Sequence, residues 1–296
     1  MRKFTFKKID AFTGENAAGN PAGCIYLNRD DEITAAAMQK IAKELQGFVN
    51  EVAYLFPAED GIRLKYYSSE CEVEFCGHAS IAIMHDWIRS SEALRQTAEV
   101  ALHVNAGKLT VFNHIREEDA VYVMAPEPQF LPCTLSTVEI AGALAIEPSR
   151  LDGSAPVRIV NAGLRTLIVP LASLDACLAA LPPQEPLRRF CLENAIDIVL
   201  VYTPETQLDS SQYRTRVFAP KFGYLEDPAT GSGNAAFGYY LIQNGLWNAN
   251  VVIEQGPSKM YPNIVKLRRI RQGATERILF GGSSLVRICG EYFLHG

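Results

Sequence analysis

Apolar and polar positions along the chain change period many times, and these changes outline its elements. Lys3 to Phe12 and Cys24 to Leu27 read as strands on either side of the turn sequence Gly19-Asn20-Pro21-Ala22-Gly23. Thr34 to Leu45 places Ala37, Met38, Ile41 and Leu45 at helical spacing and stops at Gly47, a residue suited to a helix end. Val49 to Phe56 is expected as a strand closed by Pro57, and Ile62 to Tyr67 as another. Val100 to Asn105, Lys108 to His114 and Ala120 to Ala125 follow as strands. Pro126, Pro128 and Pro132 then fall within seven residues, which suggests a boundary between two domains. Beyond it, Val157 to Asn161, Thr166 to Leu171, Ile196 to Tyr202, Tyr213 to Phe218, Val251 to Glu254, Ile264 to Arg271, Arg277 to Gly281 and Leu285 to Glu291 read as strands, with a helix over Leu174 to Leu181. Residues 1–126 and 127–296 are therefore expected as two domains, the last strand being able to return to the first.

Two segments break the strand-rich pattern in the same way. Ile81 to Ile88 and Ala235 to Ile242 have almost no polar face, so each is expected as a helix buried on all sides, with strands of its own half curled around it. Each follows a loop of small residues. Cys76-Gly77-His78-Ala79 leads into the first, Thr230-Gly231-Ser232-Gly233 into the second, and the two align residue by residue. Helix starts carry unpaired N–H groups at the positive end of the dipole, a seat for an anion such as a carboxylate. Two such seats, one per half, point to two similar domains facing one small acidic ligand.

Composition narrows the class. With 296 residues, 48% hydrophobic and 21% charged, the chain reads as globular and soluble. A net charge of −5 argues against a nucleic-acid or anionic membrane partner. The start has no apolar signal core, and no run of 18 apolar residues occurs. Seven scattered cysteines without a C-x-x-C pair suit a reduced, cytoplasmic protein.

Candidate chemistry gathers at the loops. Glu51 lies within an apolar strand, where partial desolvation suits a carboxyl group to general acid/base work; a solvent-facing Glu51 is the bland alternative. His78 opens the first helix, where the dipole disfavours imidazolium, so a neutral imidazole is expected, or a capping or core histidine. Cys76 reads as an activated thiol or as inert packing. His85 lies seven residues beyond His78 without an obvious third ligand, so no metal is expected. Asp227 reads as a turn brace, compatible with a catalytic role, and Ser232 and Gly233 as N–H donors. Gly231-Ser232-Gly233-Asn234-Ala235-Ala236 also satisfies the dinucleotide pattern G-x-G-x-x-A, with Glu254 at the expected distance. The residues before Gly231 do not read as a strand, which counts against that pattern.

Asp10-Ala11-Phe12-Thr13, Gly19-Asn20-Pro21-Ala22, Asn50-Glu51-Val52-Ala53, Glu72 with Cys76-Gly77-His78-Ala79, Phe218-Ala219-Pro220 and Glu226-Asp227-Pro228-Ala229-Thr230-Gly231-Ser232 occur together in this order. In that order the chain resembles the PhzF-like family of phenazine-biosynthesis isomerases, which has the diaminopimelate epimerase fold. The resemblance implies an α/β (α+β) protein of two pseudo-symmetric domains, each a curled, mostly antiparallel sheet around a central helix, with the site in the cleft between them. It implies cofactor-independent proton transfer on a small carboxylated substrate, in a homodimer. It implies Glu51, His78 and Asp227 as catalytic residues, and Asn20, Gly77, Gly231, Ser232 and Gly233 as substrate-binding ones. Related epimerases and proline racemases use two cysteines, one at each helix start. This chain has Thr230 at the second place, too weak an acid to replace a thiol, which disfavours two-thiol racemisation. Asn50 and Ser69 stand where the family often has Ser and Pro, which leaves the phenazine-pathway substrate open. Two other classes also stay open: an NAD(P)-dependent oxidoreductase using the Gly231–Ala236 loop, and a non-catalytic protein that binds a small acid.

Overall fold

A computed structural model describes residues 1–28, 33–273 and 275–295. The chain forms two compact units, Met1–Met124 with Gly281–Gly296, and Ala125–Phe280. The first contains β1 (Arg2–Ala11), β2 (Asn20–Tyr26), α1 (Ala35–Glu44), β3 (Glu51–Ala58), β4 (Gly61–Ser68), β5 (Glu72–Val73), α2 (Gly77–Arg89), α3 (Glu92–Arg95), β6 (Glu99–Val104), β7 (Gly107–His114), α4 (Ile115–Glu118) and β8 (Ala120–Met124). The second contains β9 (Gln129–Leu131), α5 (Thr137–Leu144), β10 (Arg158–Asn161), β11 (Arg165–Pro170), α6 (Leu174–Ala179), α7 (Gln184–Glu193), β12 (Ile198–Thr203), β13 (Tyr213–Phe218), β14 (Glu226–Asp227), α8 (Gly231–Gln243), β15 (Val251–Gln255) and β16 (Asn263–Gln272). β17 (Thr275–Gly282) follows, and β18 (Ser284–Leu294) pairs antiparallel with β1 inside the first unit.

Strand pairing repeats between the units. In the first, β1–β2, β3–β4 and β6–β7 are antiparallel, while β2–β3 and β4–β6 are parallel. In the second, β10–β11, β12–β13 and β15–β16 are antiparallel, while β11–β12 and β13–β15 are parallel. The two-residue strands match as well, β5 on β4 and β14 on β13. Each short strand leads directly into the apolar helix of its unit.

Those helices sit where their composition requires. α2 packs on β1, β2, β3, β8 and β18, strands from both ends of its sheet, so the sheet curls around it. α8 does the same with β10, β11, β12 and β16. Ala79 to His85 are buried without a break, as are Gly233 to Leu241. A helix wrapped on all sides has no polar face to present.

Several expectations change in detail. β3 runs through Pro57, which pairs with Ile62 near the strand end, where a missing N–H costs little. α5 and α7 are not among the expected elements, although both carry apolar residues at helical spacing. α5 has a full capping box between Ser136 and Glu139, and α7 holds Pro186 in its first turn, where proline is tolerated. Both contribute to one cluster with β10, β11 and β12, through Ile140, Leu144, Leu187 and Cys191. Glu226–Asp227, expected to be no strand, pairs with Val217 and Phe218.

Candidate active site

Both apolar helices start earlier than their composition indicates, at Gly77 and Gly231 rather than at Ile81 and Ala235. Cys76 and Thr230 therefore occupy the N-cap positions, with nearly the same backbone: φ −127°, ψ 109° and φ −121°, ψ 114°. In each, the residue four places on bonds the cap carbonyl, Ser80 Oγ to Cys76 O at 2.7 Å and Asn234 Nδ2 to Thr230 O at 2.8 Å. The two loops are copies in three dimensions as well as in sequence.

Their side chains differ. In the first unit Glu51 begins β3 rather than lying inside it. Its Oε2 sits 3.3 Å from His78 Nε2, and the Cys76 sulfur lies 3.5 Å from His78 Nδ1. The imidazole thus contacts both a carboxylate and a thiol; the sulfur also lies 4.0 Å from Nε2, the nitrogen nearest Glu51. Glu51 Oε2 is buried and accepts no aligned hydrogen bond among the described residues, so the ion pair leaves lone-pair capacity on that oxygen.

This geometry corrects the expected neutral imidazole. Burial works against a charge on His78, but the Cys76 sulfur and the Glu51 carboxylate outweigh it, and His78 keeps its proton well above the usual histidine range. Burial also pushes the Cys76 thiol up, with His78 offsetting it in part. Burial keeps that thiol neutral at pH 7, so at that pH the Glu51 carboxylate is the charge that works against the burial of His78. An activated Cys76 thiolate is not supported.

A histidine that binds its proton more tightly when folded stabilises the fold fully below about pH 6.5, and that stabilisation is lost as pH rises through the raised value. Glu51→Gln removes the carboxylate share. Thermal denaturation from about pH 6 to about pH 9 should therefore show the wild-type advantage over Glu51→Gln shrinking as pH rises; a constant difference would contradict the pairing.

Glu51, Cys76 and His78 each offer one ligand atom, all within 4.8 Å of one another. His85 is placed elsewhere: buried, its Nδ1 is 3.1 Å from Ser284 Oγ and its Nε2 3.1 Å from Asp119 Oδ1. It is a satisfied core histidine. Asn20 is buried at the start of β2, two residues before Ala22, which pairs with Glu51.

In the second unit, Asp227 ends β14 and is nearly buried. Its Oδ2 accepts from the Thr230 hydroxyl at 2.6 Å. Gln255, which nothing in the sequence pattern singled out, donates through Nε2 to the Asp227 carbonyl at 2.9 Å and to Thr230 Oγ1 at 3.1 Å. Ser232 is half-buried in the first turn of α8, as Gly77 and His78 are in that of α2. The structure therefore joins Glu51 with His78 and Cys76, and Asp227 with Thr230. By the repeat, Asp227 corresponds to Val73 and Glu51 to Ile198, so each unit carries a carboxyl group the other lacks.

Gly231 has a packing reason of its own. A Cβ there would run into two carbons of the Phe280 ring. Gly231→Ala should cost about 1–3 kcal/mol by overpacking, measured by chemical denaturation, and Phe280→Leu in the same chain should recover most of it. The dinucleotide reading fails at Glu254. Its carboxylate is fully buried, paired with Arg214 at 3.0 Å and capped by the N–H groups of Gln207 and Leu208, so it cannot meet a ribose.

Comparison with known proteins agrees with this architecture. The sequence profile described as phenazine biosynthesis-like protein, PhzC-PhzF, matches residues 9–287. An uncharacterized isomerase of Clostridium acetobutylicum is 30% identical over 253 residues, 83% of this chain and 82% of the relative. The crystal structure of a Bacillus anthracis phenazine biosynthesis protein of the PhzF family superposes with a TM-score of 0.88 at 25% identity, covering 99% of this chain and 100% of that one. A hydroxyproline epimerase from Agrobacterium vitis, with bound trans-4-OH-L-proline, has the same fold at a TM-score of 0.60 and 13% identity, covering 99% of this chain and 91% of that one. No helix among the described residues is long and apolar enough to cross a membrane, and all seven cysteines are free.

Proposed function

The chain belongs to the phenazine biosynthesis-like (PhzC-PhzF) family of isomerases, and we propose that it moves a proton within a small carboxylated metabolite without a redox cofactor. The observation that carries this reading is the Glu51–His78 pair at the start of a buried helix. Glu51 takes a proton from a carbon made acidic by conjugation or by an adjacent carboxylate, and it, or a partner acid, returns a proton at another carbon, so that the product has the same mass. The His78 imidazolium stabilises the negative charge that develops, and it holds the base oxygen in place. The first-turn N–H groups of α2 at Gly77, and those of α8 at Gly231–Gly233 with Ser232, are each suited to a carboxylate. Asp227 is assigned as the second carboxyl group of the reaction. Thr230 is already committed to Asp227, and Cys76 is a buried neutral thiol, so a two-thiol mechanism has no support in either loop.

The test is a mass-neutral conversion. Purified protein is incubated with a panel of small α-amino, hydroxy and unsaturated carboxylic acids, without added NAD(P), and followed by NMR. Conversion of one acid to an isomer of the same mass is expected. Tight binding of an acid with no conversion would favour a ligand sensor, and a requirement for a nicotinamide would overturn the reading.

A further inference from the structure

The polar network beneath the start of α8 is more complete than a turn requires. Gln255 lies at the end of β15 with no exposed surface, and it uses all four of its hydrogen-bonding positions. Its Oε1 accepts from Thr230 N at 3.0 Å and from Asn234 Nδ2 at 2.6 Å. Its Nε2 donates to the Asp227 carbonyl at 2.9 Å and to Thr230 Oγ1 at 3.1 Å. Turning the amide over would set donors against donors, so its orientation is fixed. Thr230 Oγ1, accepting from Gln255, has its own proton left for Asp227 Oδ2, at 2.6 Å.

Main-chain anchoring does not need this last bond. The preceding residue, Glu226, is held by Arg216 through two parallel bonds of 2.9 Å and 2.8 Å, and Arg216 also donates to the carbonyls of Cys177, Leu178 and Ala180. Pro228 O accepts from Asn263 Nδ2 at 2.7 Å. Asp227 itself is tied through its carbonyl to Gln255. With the backbone fixed on both sides, the Thr230 hydroxyl acts on the Asp227 carboxyl group itself, bonding one of its two oxygens.

We infer that Thr230 and Gln255 are positioning residues: Gln255 aims the Thr230 hydroxyl, and the hydroxyl sets the Asp227 carboxyl group for the reaction. The inference rests on the assignment of Asp227 in the proposed function. It gives Thr230, at the place of the second cysteine in related epimerases, the task of orienting a carboxyl group instead of carrying the proton. Fixed orientation is worth much in such chemistry, since a misplacement near 1 Å costs about 100-fold.

The test has a structural and a kinetic half. Crystal structures of Thr230→Val and Thr230→Ser read the first: the Asp227 carboxyl should keep one orientation in Thr230→Ser and turn or split in Thr230→Val. An unmoved carboxyl in Thr230→Val overturns the inference whatever the substrate. Turnover of the acid found in the isomer screen reads the second. Thr230→Val and Gln255→Leu should each lower kcat by about 10- to 100-fold with KM within about threefold, and the double variant should fall little further. Thr230→Ser should restore kcat. Equal losses in Thr230→Ser and Thr230→Val would mean that packing of the methyl group matters and the hydroxyl does not, which also overturns it. Asp227→Asn separates the two readings: full activity there removes Asp227 from the reaction and sinks its assignment in the proposed function, independently of where the carboxyl points.

Discussion

Glu51→Gln is expected to lower kcat by about 100- to 10,000-fold, the usual contribution of a positioned general base, while KM for the substrate stays within a few-fold. Glutamine keeps the shape of the side chain and removes its basicity. Two features argue for so large a loss. The buried Oε2 has no aligned hydrogen bond, so the lone pair is not already engaged. His78, 3.3 Å away, holds a proton and cannot replace Glu51 as a base while it does. The variant should also lower the proton affinity of His78, which a steady-state pH profile reads as a shift of the His78 limb toward lower pH. A loss in KM alone would mean that Glu51 binds substrate and does not touch the transferred proton.

Arg214→Met is expected to destabilise the protein by about 3–5 kcal/mol, as removal of one partner from a buried ion pair does. Both side chains are fully buried. Arg214 also serves the carbonyls of Gly256 and Ser258 at 2.5 Å each, so its loss leaves one carboxylate and two carbonyl oxygens without their main donor. The N–H groups of Gln207 and Leu208 remain on Glu254 but cannot neutralise it. Equilibrium denaturation reads the cost. Arg214→Met with Glu254→Leu should be more stable than Arg214→Met alone, because the stranded charge is gone. An additive, larger loss in the double variant would show that packing, not charge, dominates there.

The comparison of chain and structure has a physical pattern. The buried helices were legible because apolar residues on every side leave a helix no solvent face, and the paired loops because small residues and glycines mark helix starts. The exact helix starts were less legible: Gly77-His78-Ala79 and Gly231-Ser232-Gly233 look like loop by composition, yet they form the first turns, with His78 at the head of its helix as expected. α5 and α7 do carry apolar residues at helical spacing, Ile140, Ala141 and Leu144 in the first and Leu187, Phe190 and Cys191 in the second, but both are short and lie among prolines that read as breaks.

Glu51, His78 and Asp227 could be picked out as chemically unusual residues in their segments. What each one touches could not. The proton on His78 depends on a carboxylate 27 positions away in sequence, against a dipole effect that local reasoning alone would favour. Gln255 is invisible for the same cause: an amide at the end of a strand looks like an ordinary surface residue until the fold buries it beside Thr230. Glu254, which local spacing offered to a ribose, is consumed by an arginine 40 positions before it.

Hydrogen exchange at carbon tests the central claim most directly. The substrate is incubated in heavy water with wild type or with Glu51→Gln and recovered before it converts, and deuterium at the reacting carbon is measured by NMR. Wild type should introduce solvent deuterium into recovered substrate, and Glu51→Gln should introduce almost none. Equal deuterium uptake with both proteins would contradict the assignment of Glu51 as the group that takes the proton.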